Sequence, residues 1–185
     1  TVIEVPFSLT ELFDTTIRGM RNQNELAQES SEVADFWSML QGFQTSGKCI
    51  DRAHYRIRYM KSFRPLNVKE DIEFQEARPI LYLNTAAVAS LFNSRNMNAT
   101  ANRSNWSTII SYLKSHASYL GLKQDRFTIL LPSGMPDFSI DIVNGQQVKH
   151  VKVNRPKALC FDYLQLKEMF GLDLETEVVV DDQDE

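Results

Sequence analysis

The sequence predicts an α+β protein: an N-terminal helical hairpin packed on a winged-helix-like domain, meaning a helix-turn-helix followed by a β-hairpin wing. Three observations carry this. Apolar residues recur at helical spacing before residue 47, and the period changes to two from Cys49 onward. Asn144-Gly145, the strongest two-residue hairpin signal, then stands between two alternating segments. The division that follows is 1–47 for the helical hairpin, 48–172 for the winged-helix-like domain and 173–185 for an acidic tail.

Ser8 and Glu11 have the spacing of a capping box, and Leu9, Leu12, Phe13, Ile17 and Met20 follow at helical intervals. A first helix is expected from about Ser8 to Gln28. Ser30 and Ser31 interrupt it and offer a new N-cap. The second helix carries Val33, Phe36, Trp37, Leu40 and Phe43 on one stripe and ends at Gly47.

Beyond Cys49, His54, Arg56 and Arg58 alternate with Tyr55, Ile57 and Tyr59, the signature of a half-buried strand. Arg64-Pro65 and the stretch from Lys69 to Glu76 read as a solvated loop. Ile80 to Leu83 is a short strand, and Asn84 caps a helix with Val88, Leu91 and Phe92 on its apolar face. Asn93 to Arg103 is the expected turn, longer than the usual three or four residues. A second helix, from about Ser104 to Ser118 with Ser104 or Asn105 as cap, buries Trp106, Ile109, Ile110 and Leu113. Strands are expected through Phe127, Ile129 and Leu131, through Phe138, Ile140 and Ile142, on a return through Val151 and Val153, and at Ala158 to Phe161. Tyr163 to Phe170 is a short helix closed by Gly171.

With 185 residues, 43% of them hydrophobic, the chain can bury a sizeable core. No run of eighteen apolar residues occurs, so no membrane span is expected, and the start lacks the pattern of a signal peptide. Because it begins with Thr1, a piece of a longer polypeptide is expected. Cys49 and Cys160 fit no CxxC or zinc spacing and read as buried, reduced residues of a cytoplasmic protein.

The net charge of −4 hides an asymmetry: residues 1–47 carry two basic against seven acidic side chains, and residues 48–157 carry seventeen against eight. Residues 158–185 carry one against nine. The locally basic centre suits a polyanion partner despite the acidic total.

On the helix-turn-helix reading, the second helix turns Asn105, Ser107, Thr108, Ser111, Lys114 and Ser115 outward, short donors and acceptors suited to phosphate oxygens or base edges. The wing supplies Lys149, His150, Lys152, Arg155 and Lys157, with Lys149 and Lys152 expected on the same side as Lys114. The expected nucleic-acid contacts are therefore Arg103, Asn105, Thr108, Lys114, Lys149, Lys152, Arg155, Arg56 and Arg58, with duplex DNA as partner. The rival reading is a protein-interaction or oligomerisation module without DNA contact. No phosphate loop, GxSxG elbow, HExxH or GxGxxG is present, so no catalytic residue is assigned and no cofactor is implied. His54, His116 and His150 match no metal spacing.

The runs FWSMLQGFQTSGKCIDRAHYRIR (Phe36 to Arg58), LYLN (Leu81 to Asn84) and KALCFDYLQL (Lys157 to Leu166) together resemble the C-terminal accessory region of primase/helicase-like ATPases from bacterial mobile elements and phages. The resemblance spans residues from about 10 to 170. It implies a domain that helps a helicase or primase engage DNA, preceded in the same polypeptide by the motor domain with its nucleotide and metal sites. Its motifs are structural, so it assigns no catalytic residue.

Overall fold

A computed structural model of the chain describes residues 9–96, 105–143 and 146–176. Between Leu9 and Thr45 there is no proline, and the chain forms one helix, α1 (Leu9–Thr45). The break expected at Ser30-Ser31 does not occur, so the N-terminal element is a single helix and not a helical hairpin. The physical reason is that serine inside a helix costs well under about 1 kcal/mol relative to alanine, too little to stop a helix flanked by good formers.

The remaining elements are β1 (Tyr55–Phe63), β2 (Ile72–Asn84), α2 (Thr85–Asn96), α3 (Trp106–Ser115), β3 (Tyr119–Gln124), β4 (Phe127–Thr128), β5 (Phe138–Val143), β6 (Gln146–Val151), β7 (Val153–Asn154), β8 (Lys157–Asp162) and α4 (Tyr163–Phe170). Four strands form an antiparallel sheet in the order β1-β2-β8-β3. β2 reaches back to Ile72, through residues expected in a loop, because Phe63 and Ser62 of β1 pair with Ile72 and Glu73 beyond a bulge. Pro79 sits just before the pairing of β2 with β8 begins at Ile80, so its missing N–H costs that ladder nothing. Gly121 lies at a bulge in β3 with φ +133°, and a Cβ there would stand 2.7 Å from Pro65 Cβ. Only glycine fits.

Directly paired residues share a sheet face. Tyr55, Leu83 and Leu159 therefore point one way with Ile57, Leu81 and Phe161. Helices cover that face: Val33, Phe36, Trp37 and Leu40 of α1, Ile109 and Leu113 of α3, and Leu166 of α4 join the same cluster. Trp37 meets Phe161 edge-on at 5.2 Å between ring centroids. The expected boundary near residue 48 thus falls inside one core, because the end of α1 is an apolar layer that the sheet needs. The opposite face holds a smaller cluster of Phe63, Ile80, Tyr82, Phe127, Ala158 and Cys160.

The expected acidic tail also begins inside the core. Leu172 and Leu174 are buried, the Leu174 N–H donates to the Tyr163 hydroxyl at 2.7 Å, and the Tyr55 hydroxyl donates to the Glu175 carbonyl. Residues 177–185, with the expected edge pairing at Val178 to Val180, lie outside the described residues.

Two insertions set up the functional question. α2 and α3 leave the sheet between β2 and β3, and the β4–β7 segment leaves it between β3 and β8. In the second insertion β5 pairs with β6 and β4 with β7, apart from the main sheet.

Candidate nucleic-acid interface

α3 is anchored by Ile109 and Leu113, and Trp106 packs against Phe92 of α2 and Phe36 of α1 at 5.4 and 6.1 Å. Its outward residues Ser107, Ser111, Lys114 and Ser115 are exposed. Asn105 is the N-cap. Its Oδ1 accepts from the Thr108 N–H at 2.9 Å and from the Ser107 and Thr108 hydroxyls at 2.6 and 3.1 Å. Asn105 and Thr108 are thereby engaged in starting the helix, which accounts for both residue types without a ligand. Lys114 is in the last turn, where a cation also suits the helix dipole.

α2 runs to Asn96, so the start of the expected turn at Asn93 is helical. Residues 97–104, including the predicted contact Arg103, lie outside the described residues, as does the Asn144-Gly145 turn.

The basic strand has a partner within the chain. Arg56 and Arg58 of β1 both face Asp125, with N–O distances of 3.9 and 3.0 Å. All three are largely desolvated, with side-chain exposures of 16%, 23% and 7%. The chain leaving β3 crosses the second sheet face to reach them: the Thr128 N–H donates to the Arg52 carbonyl at 2.7 Å, and Phe127 is buried beside Tyr82 and Phe63. Arg56 and Arg58 therefore neutralise an internal carboxylate. A single aspartate more than sixty residues away in sequence gave no periodic signal for this.

The wing residues divide by register. Phe138 pairs with Val151 and Ile140 with Lys149, so Lys149 shares a face with Phe138 and Ile140; its Nζ lies 3.7 Å from the Phe138 ring centroid. Ser139 pairs with His150, and the Lys152 N–H donates to the Asp137 carbonyl at 2.9 Å, which places His150 and Lys152 on the other face. There Lys152 is ion-paired with Asp137 at 2.9 Å, and the His150 ring is 3.8 Å from the Asp141 carboxylate. The expectation that Lys149 and Lys152 lie on one side is overturned: Lys149 is on the Phe138–Ile140 face, whereas Lys152, between β6 and β7, closes on Asp137 on the Ser139–His150 face. Arg155 and Lys157 are exposed in the return to β8.

The sequence reading found the apolar alternation of this hairpin but not that the described residues leave it exposed. Ile140 and Ile142 are 63% and 76% exposed, and Val143, Val151 and Val153 are exposed with them. Alternation identifies a face, but not whether anything packs on it.

Chemistry elsewhere is muted. Burial pushes the Cys49 thiol up to about 12 and raises Cys160 as well, so neither is a ready thiolate. Burial lowers His54, whose Nδ1 accepts from the Ile50 N–H at 3.0 Å, and lowers His116, whose Nδ1 is 2.8 Å from the Ser118 hydroxyl. Among the described residues no three His, Cys, Asp or Glu side chains are grouped to hold a metal ion, and no helix is long and apolar enough to cross a membrane. The chain matches no protein-family model, no curated protein and no solved structure.

Proposed function

We propose that this chain is a non-catalytic DNA-binding accessory domain of a cytoplasmic replication protein, gripping duplex DNA between α3 and the β5–β6 hairpin. The observation that carries the reading is the order of elements around the sheet. A strand, two helices, a strand, a projecting hairpin and a returning strand follow one another, with β8 between β2 and β3. This order supports reading the unit as a winged helix with β1 added at one edge. On this reading α3 enters the major groove, wide enough for a helix, with Ser107, Ser111 and Lys114 toward it. Lys149 and Arg155 meet phosphates beside it. The accessory role, next to a motor domain in the same polypeptide, rests on the resemblance to primase/helicase-like proteins.

The test is fluorescence anisotropy of labelled duplex and single-stranded DNA over a salt series. Three phosphate contacts predict an affinity that falls with a log–log slope of roughly −3 for duplex. No binding at low salt, or a flat response, overturns the reading. The second reading, a protein-interaction module, is favoured by one observation: the exposed apolar face of Ile140, Ile142 and Val151 beside Lys149.

A further inference from the structure

The N-terminal half of α1 has an apolar stripe that the described residues do not cover. Val33, Phe36, Trp37 and Leu40 are buried against the sheet, but from Phe13 to Gln28 the side chains are exposed, with only Ile17 partly covered. A helix of that length without a partner is marginal in water. At about 100° per residue, Phe13, Ile17, Met20 and Ala27 form a stripe roughly 165° around the helix from the stripe that enters the core. It faces away from the core formed by the described residues.

We infer that two copies of the chain pair through this stripe as an antiparallel, twofold helical pair. The spacing is that of a heptad seam, with Phe13, Met20 and Ala27 at one core position and Ile17 and Asn24 at the other. The seam is flanked by Thr16 and Gln23 on one side and by Asp14 and Arg21 on the other. Arg18, Glu25, Glu29 and Glu32 point away from it.

These charges choose the partner and its direction. In a parallel pair Arg21 faces Thr16 of the second copy, and the three glutamates run alongside their own counterparts. In an antiparallel pair Ile17 packs on Met20 of the second copy and Phe13 on its Asn24. Asp14 then faces Arg21 of the second copy, and the twofold axis makes the same ion pair again. The glutamates of the two copies lie at opposite ends, and the helix dipoles oppose. A surface whose only flanking charges satisfy each other under a twofold axis fits a copy of itself. The pairing stands independently of DNA binding.

Sedimentation equilibrium of the full chain, from about 1 to 100 µM, is the test. The parent is expected to dimerise. Asp14→Arg and Arg21→Asp each create two like-charge contacts and are expected to weaken the dimer about tenfold or more. An equimolar mixture of the two variants should recover it as a heterodimer, and the double variant as a homodimer. Leu26→Lys, exposed but off the seam, should dimerise like the parent, with circular dichroism checking that each variant is folded. A parent that stays monomeric overturns the inference. So does a dimer that ignores both reversals, a loss that neither the mixture nor the double variant restores, or one that Leu26→Lys reproduces.

Discussion

β1 and the first strand of the β5–β6 hairpin both alternate apolar with polar side chains, yet the fates of the two ribbons differ. In β1, Tyr55 and Ile57 enter the helix-covered core while Arg56 and Arg58 close on Asp125. In the hairpin, Ile140 and Ile142 stay exposed, and Lys149 lies over Phe138. Alternation fixed the two faces of each ribbon. What lies against a face depends on where the chain goes next: the segment after β3 returns across β1, and no described segment returns across the hairpin. A desolvated arginine needs its carboxylate, whereas an exposed lysine contributes little to folding and remains available to a partner.

The sharpest way to break this comparison is Asp125→Ala. It leaves Arg56 and Arg58 partly buried without their carboxylate, and the expected loss is about 3 kcal/mol in urea unfolding. A variant as stable as the parent would mean that water reaches both guanidinium groups, and the contrast with the hairpin would fail. The closed region also has a pH signature. Burial holds the folded-state pKa of His54 below its ordinary 6.5, so protonation favours the unfolded chain. Stability from this source is complete above about pH 6.5 and declines as pH falls from there through the folded-state pKa. His116, lowered for the same reason, acts in the same direction. His54→Asn, which keeps an acceptor for the Ile50 N–H, should reduce the acid-side loss measured by thermal unfolding between about pH 8 and pH 5. An unchanged pH profile would show that His54 is hydrated.

Next in size is Asn105→Ala. If Asn105 is a cap, its removal costs about 1 kcal/mol of stability and leaves duplex affinity intact. The opposite result, unchanged stability with lost affinity, would return Asn105 to the DNA-reading set. This pair of readouts separates a residue that builds the site from one that touches the ligand.

Much of the fold was legible because periodicity reports burial locally. The stripe of α3, the alternation of β1 and of the hairpin, and α4 from Tyr163 to Phe170 all stand where the pattern put them. The failures share a cause of another kind. Ser30-Ser31 resembled a cap, but a cap matters only where a helix has already ended. The stretch before Glu76 looked like a loop because its charges, Lys69, Glu70, Asp71, Glu73 and Glu76, outweighed the short alternation of Ile72 and Phe74, which pairs only with β1. Asp125 was invisible because its importance lies in a crossing that no local window contains. For the candidate site, the residue types were readable, but their engagement was not: Asn105, Thr108, Arg56, Arg58 and Lys152 all have intramolecular partners.

The smallest effects test the open side of the comparison. Lys149→Ala and Arg155→Ala should each leave stability within about 0.5 kcal/mol of the parent, since both side chains are exposed. If each meets one phosphate, each substitution should make the salt dependence of duplex binding shallower by about 0.9 log units per log unit of salt. Lys152→Ala should change the slope less, because Asp137 already neutralises that ammonium. Arg56→Ala and Arg58→Ala should not change it in the folded protein, although both should lower stability. The sign of the comparison therefore rests on one plot: slope change against stability change for five single variants. Hairpin variants moving along the slope axis and β1 variants along the stability axis is the expected outcome. If Lys149→Ala and Arg155→Ala leave the slope unchanged while Ile140→Ser abolishes capture of a protein partner, the exposed hairpin serves protein contact and DNA must be met elsewhere.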